Sequence, residues 1–384
     1  MILQNYLLVN LRSQKRHFSK NNIYIMKNLL IQLLLFANLM FAQEQLQIEH
    51  YLEGKDVRDI CDDGNNIWVA TNGSGIFQYN YRMQEWYNYS TNNGKLKLNL
   101  FYTITANKDF VWAGSTDGLF IFNKKRKRWS KRKFGKGGQL SNWIRDVQYD
   151  PHINAVWIGR FKYLTKYDLK KRRFTDYDLT MNKDMKTNTI KVIKVDGDSL
   201  VWFGSESGLH KYDKSQDISN QSALSFYNND LNYFNGDGDA VSISALLVEQ
   251  NNIWIGLDEF ITRNNPNYNL GGIYKFDRKN EWTRFDSHNG LKGNGIYDIE
   301  ITGDYIWVSL YQFSKNTKDV FGRGLALINR ITKKVEMVQI EEIPRTIKSI
   351  HFDGTKLWLG TDNGLFTIDL VNELVENFTK EIND

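Results

Sequence analysis

Proline and cysteine are nearly absent. The 384 residues include three prolines and a single cysteine, Cys61. One thiol excludes an internal disulfide framework and a cysteine-based zinc site, and Cys61 reads as a structural residue. With so little proline, the chain is punctuated by 28 glycines, which favours many short strands and tight turns over helices. Histidine is also sparse. Of the six histidines, the five beyond residue 42, His50, His152, His210, His288 and His351, are scattered without helical or metal-ligand spacing. There is no G-x-S-x-G nucleophile turn. "NGDGD" (235–239) has oxygen ligands at alternate positions but lacks the full loop and distal Glu of a calcium hand. No metal and no cofactor is expected.

Acid is missing from residues 1–42, which hold Arg12, Lys15, Arg16, Lys20 and Lys27. The formal net charge of +6 resides largely there, because without those five cations 45 basic residues face 44 acidic ones. A body so close to neutral makes no general polyanion field, so nucleic acid is not an expected partner.

From Met26 the chain reads "MKNLLIQLLLFANLMFAQEQ". A basic start, an apolar run and a small residue before a polar one are the three parts of a secretory signal, with cleavage expected after Ala42. The run is short for a bilayer crossing, which takes about 20 residues. Residues 1–25 read as an upstream extension, with Met26 the alternative start. A periplasmic or secreted protein with no stable transmembrane span in its mature form is the expectation. An uncleaved anchor is the alternative.

What the chain has in abundance is aromatic residues, 14% of the total with 11 tryptophans, and seven of these recur in one phrase. The copies are "NNIWVAT" (Trp68), "DFVWAGS" (Trp112), "NAVWIGR" (Trp157), "SLVWFGS" (Trp202), "NNIWIGL" (Trp254), "DYIWVSL" (Trp307) and "TKLWLGT" (Trp358), with spacings of 44 to 53 residues. That is the period of a propeller blade. Each copy parses into four strands. An apolar-bounded start such as "VRDI" or "IKSI" is strand a, the Trp phrase is b, a Gly-led segment such as "GLFIFN" is c, and "EWYNY", "RFTDY" or "LVENF" is d. Such a sheet cannot bury both faces alone, whereas seven stacked radially can. A buried Trp removes about 150–250 Å² from water, of order 4–6 kcal/mol gross per blade at about 25 cal/mol per Å². The tryptophans therefore read as core. The fold expected is an all-β, seven-bladed propeller of four-stranded antiparallel blades over residues 43–384. The blades fall near 56–95, 100–138, 143–180, 188–230, 241–288, 296–340 and 346–380. "QIEHYL" (47–52) and "LVENF" (374–378) compete to close the ring.

The pattern D-G-x-x-[IVL]-W-[IVL]-G-T-x-x-G-[LI]-x-x-[YF] resembles the two-component regulator propeller repeat, over roughly residues 56–379. The third copy departs from it, reading "GRFKYLTKYD", and the fifth and sixth carry insertions. The resemblance implies a periplasmic sensor module of the kind found in hybrid histidine kinases, often recognising glycans, here without a kinase or helix-turn-helix. Propeller lyases of cyclic antibiotics share a similar Trp-Gly phrase and use a His with an acid near the channel, which points to His210 or His351 for such a part.

In a four-stranded blade the d–a and b–c loops emerge on one face. The long b–c insertions (257–272 and 310–324) and the extended d–a connections after copies two, three and four all fall there. Long loops on a rigid scaffold are where binding usually resides. At the second residue of strand a the copies carry Arg58, Tyr102, Arg145, Lys191, Ser244, Tyr297 and Lys348, with Trp143 just ahead. Four cations and two tyrosines at a channel mouth suit a small anionic or sugar-acid ligand. Pairing of these side chains with Asp59, Asp146 and Asp298 is the alternative. On the far face, Lys124, Lys125, Arg126, Lys127 and Arg128 in one c–d turn, and Lys170, Lys171, Arg172 and Arg173 in the next, form a basic patch. It is either a solvated turn or a contact for anionic lipid, polysaccharide or an acidic partner. Three functions follow: recognition of a carbohydrate or anionic glycan fragment in a sensing context, a protein-interaction scaffold in the envelope, or a lyase or hydrolase using the channel.

Overall fold

The computed structural model describes residues 47–370 except 339. The expected signal segment and "LVENF" lie outside the described residues. Seven four-stranded antiparallel sheets account for the fold. Their inner strands are Val57–Asp62, Thr103–Ala106, Ile144–Asp150, Ile190–Asp196, Ile243–Val248, Gly295–Thr302 and Ile347–Phe352. Each packs beside the inner strands of the blades before and after it, and that of blade 7 packs beside that of blade 1. The result is a closed ring of seven blades. Among the described residues there is no α-helix, only one-turn 3-10 segments, and no helix long and apolar enough to cross a membrane.

Ring closure is settled by the N-terminal candidate. Ile48–Tyr51 pairs antiparallel with Gly364–Asp369 as the outer strand of blade 7, with Ile48 opposite Ile368 and Tyr51 opposite Leu365. Blade 7 is thus built from both ends of the described chain rather than from residues 346–380 alone.

The repeated phrase has a physical explanation at three positions. The seven tryptophans are 0–2% exposed and lie between sheets. Two residues on, the glycine marks where the next blade enters. A Cβ at Gly114, Gly159, Gly204 or Gly256 would stand 2.5–2.9 Å from the Cγ2 of Ile144, Ile190, Ile243 or Ile296, and one at Gly360 would stand 2.5 Å from Cγ1 of Val57. Only small residues fit there, and Ala70 and Ser309 complete the set. The third position is the acid of the a–b turn, which accepts the indole N–H. Trp68 donates to Asp63 at 2.6 Å, Trp202 to Asp196 at 2.7 Å, Trp254 to Glu249 at 2.5 Å and Trp358 to Asp353 at 2.7 Å.

The same acids fasten neighbouring blades. The residue just after strand c reaches back to the preceding blade's acid: Lys124 to Asp63, Lys214 to Asp150, Arg278 to Asp196, Arg330 to Glu249 and Tyr81 to Asp353. Two interfaces lack the acid, having Asn107 and Thr302 in its place. There the reaching residue is Leu169 or Leu370. Charge and its absence change together at six of the seven interfaces, as expected if an unpaired buried charge is the costly state, and at the seventh Asp353 accepts from the neutral Tyr81 hydroxyl instead. Trp112, above Asn107, leaves its indole nitrogen unbonded, while Trp307 donates to Thr302 Oγ1 at 2.7 Å. Lys124, expected in the basic patch, is therefore an inter-blade clasp, because Asp63 and the Asn107 carbonyl draw its ammonium inward.

Candidate functional site

The seven rim positions occupy a special place in the backbone. In six blades the register between strands a and b skips one residue, namely Arg58, Arg145, Lys191, Ser244, Tyr297 or Lys348. Tyr102 holds the equivalent place, its N–H bonded to the Gly114 carbonyl that also pairs with Thr103. A bulge of this kind frees one residue from the ladder and re-aims its side chain. Here it does so at the d–a end of every inner strand, around the axis.

The structure joins these residues into one mouth but gives the cations partners other than those anticipated. Arg58 and Lys348 both bind Asp56, at 2.8 and 2.6 Å. Arg145 reaches Glu206 at 3.4 Å, and Lys191 pairs with Asp258. Burial works against charge on Asp56 and Asp258, yet Lys348 and Asn72 hold the first below the usual carboxylate range, and Lys191, Ser242 and Tyr311 do the same for the second. Asp59, Asp146 and Asp298 serve another purpose. Each accepts the backbone N–H that follows it and one from an adjoining inner strand, at Ile104, Ile193 and Ile350 respectively, at 2.6–2.8 Å. They staple blades together and leave the rim cations to other acids.

Glu206 and Asp258 belong to a second ring that sequence reading passed over. The residue four after each blade tryptophan lies beside the rim, just past strand b in five blades and within its longer form in blades 5 and 6: Asn72, Thr116, Phe161, Glu206, Asp258, Tyr311 and Asp362. The fixed offset from Trp was the available signal. The aromatic members of both rings meet in two places. Trp143 stacks on Phe161 with ring centroids 5.6 Å apart and planes 6° off parallel, Tyr102 lies 6.2 Å from Trp143, and the Arg145 guanidinium sits 5.0 Å over the indole. On blade 6, Tyr297 lies 4.6 Å from Tyr311, whose hydroxyl donates to Asp258 at 3.1 Å. Two arcs of the mouth are aromatic, and paired charges lie between them.

Further down the inner strands lies a half-buried charge cluster that was also missed, drawn from blades 1, 3, 4 and 6. Burial pushes Asp59 up to about 7, helped by Asp146, and also raises Asp146, Asp298 and Glu300. Burial opposes charge on Lys194, but Asp298, Glu300, Asp146 and Asp59 raise it above its ordinary value. His351 stands 4.0 Å from Glu300, too far for a hydrogen bond, and burial lowers its pKa. Glu300 already accepts the N–H groups of Ile301 and Phe352. His210 is fully buried, its Nε2 2.8 Å from the Thr187 carbonyl.

Other expectations find plain places. Cys61 is half-buried against the core of blades 1 and 2, and burial pushes its thiol up. Asp237 of "NGDGD" is taken by the Tyr274 hydroxyl at 2.6 Å. The basic residues other than Lys124 are exposed on adjoining c–d turns, with Lys171 4.0 Å from Asp168.

No protein-family model matches this chain, and no curated protein sequence does. Solved structures do match. The chain is similar to the extracellular domain of BT4673 from B. thetaiotaomicron, described as a one-component and as a hybrid two-component system, with a TM-score of 0.63 at 17% identity. It is similar to the corresponding domain of BT3049 with a TM-score of 0.59 at 14% identity. These matches cover 86% and 84% of this chain but only 40% and 41% of those domains, so the chain spans about two-fifths of their length. Virginiamycin B lyase from Staphylococcus aureus matches with a TM-score of 0.63 at 12% identity, covering 85% of this chain and 99% of the lyase. At these identities the shared property is the propeller fold.

Proposed function

We propose that this chain is an exported recognition module whose axial mouth binds a carbohydrate in a sensing or signalling context. The observation that carries the reading is the Trp143–Phe161 stack, flanked by Tyr102 and Arg145, opening onto a ring of paired acids and cations. An apolar ring face beside convergent polar donors and acceptors is what a sugar presents its two surfaces to. Because every rim cation has an acidic partner, the mouth favours a hydroxyl-rich ligand over a strongly anionic one. Its fold neighbours BT4673 and BT3049 are extracellular domains of signalling systems, which is in keeping with a sensing role. Catalysis is not part of this reading, since His351 and Glu300 make no hydrogen bond and Glu300 is engaged by backbone.

A second reading has an observation of its own. Nine large apolar side chains are exposed among the described residues, and six of them lie on the mouth face: Leu140, Met185, Leu231, Phe260, Val320 and Phe321. Of these, Phe260, Val320 and Phe321 stand on extended ends of strands b and c rather than on connections, and the distribution suits a protein partner seated over the mouth. A thermal-shift screen against neutral and acidic oligosaccharides separates the two readings. A ligand that raises the melting point by mass action supports sugar recognition. A silent screen together with one stoichiometric envelope partner supports the scaffold, and product release from any compound would establish an enzyme.

A further inference from the structure

A cavity of about 590 Å³ opens where blade 6 hands over to blade 7, outside the axial mouth. Its walls come from the connection before Ile347, strand c at Arg323 and Gly324, and Lys292 from the preceding connection. Ile347 adjoins the rim residue Lys348 in the chain. The volume lies within the roughly 300–1,000 Å³ of small-molecule sites.

The cavity's charge sets it apart from the mouth. Lys292, Arg323 and Arg345 line it against a single acid, Glu341. Lys292 and Arg345 are exposed and make no ion pair with any described residue. Arg323 donates to the neutral amide oxygen of Gln312, and its charge only partly offsets the burial that raises the Glu259 pKa. Beneath these heads lies an apolar floor of buried Leu325, Val338 and Ile343. The mouth, in contrast, pairs each of its four cations with an acid. Net positive charge over an apolar floor is thus an off-axis feature of this face.

We infer that this cavity is a second binding site, independent of the axial one, that takes an organic anion: a carboxylate or sulfate carried on a six-membered ring. The guanidinium groups and the lysine supply charge-assisted hydrogen bonds to the anionic group, while the ring framework covers the floor. A neutral sugar lacks the group that the three cations await.

The test is calorimetric titration of glucuronate, glucose 6-sulfate and glucose into the full chain carrying Trp143→Ala, which removes the axial aromatic platform so that a sugar held at the mouth is not read as off-axis binding. The two anions bind, glucose does not, and added salt weakens the binding. Replacing both exposed cations, Lys292→Gln with Arg345→Gln, weakens anion binding by about tenfold or more, while Arg145→Ala at the mouth leaves it unchanged. Binding of only one of the anions supports the site and fixes its class as carboxylate or sulfate. Three results overturn the inference: neither anion binds, glucose binds as well as the anions, or Arg145→Ala abolishes anion binding while the double variant retains it. The last result would place the anion at the axis and leave the axial reading standing.

Discussion

The wall between blades and the mouth at their inner ends are built from the same seven repeats and follow opposite rules. In the wall, equivalent positions carry equivalent chemistry: tryptophan, a small residue two places on, an acid in the a–b turn, a cation or tyrosine reaching back to it. Where the acid is lost, as at Asn107 and Thr302, the reaching residue is a leucine, Leu169 or Leu370. In the mouth, no such rule holds. Position by position the rim reads Arg58, Tyr102, Arg145, Lys191, Ser244, Tyr297 and Lys348, and the ring beside it differs just as much. Repetition marks what every blade needs to pack. Divergence on an equally rigid backbone marks where packing does not dictate the residue, and there a ligand can.

Four substitutions sharpen this contrast. The largest effect belongs to the buried clasp. Lys214 and Asp150 are 3% and 0% exposed, so Lys214→Met strands a carboxylate and costs about 3–5 kcal/mol in denaturant unfolding. Leu169→Met, at the same place in an uncharged interface, costs less than about 1.5 kcal/mol. Pairing Lys214→Leu with Asp150→Asn recreates the uncharged type and recovers most of the loss.

Next comes His210, which stands where blades 1, 2 and 7 carry Phe77, Phe120 and Phe366. Burial lowers its pKa to about 4, although the Thr187 carbonyl opposes the shift. Between the unfolded value near 6.5 and about 4 the unfolded chain takes up a proton that the native state refuses. His210 therefore contributes stability that is present above pH about 6.5 and is lost as pH falls toward 4, on the order of 3 kcal/mol. His210→Phe flattens this acid limb in unfolding curves measured across that range.

Gly204→Ala ranks third. Its Cβ would meet Ile243 Cγ2 at 2.5 Å and Val192 Cγ1 at 2.6 Å, an overpacking cost of about 1–3 kcal/mol that Ile243→Val partly relieves. The smallest stability effect is expected at the mouth. Arg145→Ala removes a partly exposed pair with Glu206 and costs about 1 kcal/mol or less, readable as a small melting shift, yet it weakens axial ligand binding.

The fold was open to a reader of the sequence because packing repeats. A tryptophan every 44 to 53 residues announces seven blades before any coordinate is known. Which strand closes the ring was not legible, since "IEHY" and "LVENF" are equally strand-like and only the register with Gly364–Asp369 separates them. The rim positions were legible because strand a has a recognisable start. Their partners were not, because Asp56, Glu206 and Asp258 come from a loop and from neighbouring blades, and Asp59 is nearer in sequence to Arg58 than to the Ile104 N–H it accepts. The third blade shows the same limit. Tyr163 takes the left-handed conformation, φ 76°, that Gly118 and Gly208 supply elsewhere, so a missing glycine did not mean a missing turn.

The central claim is that the divergent mouth, and not the repeating wall, binds ligand. It is tested most directly by calorimetric titration of an oligosaccharide found by thermal shift into the wild type and into Trp143→Ala, with both confirmed folded by their melting curves. The account predicts saturable binding to the wild type and a loss of about tenfold or more without the indole platform. Equal affinity of the two proteins would contradict it.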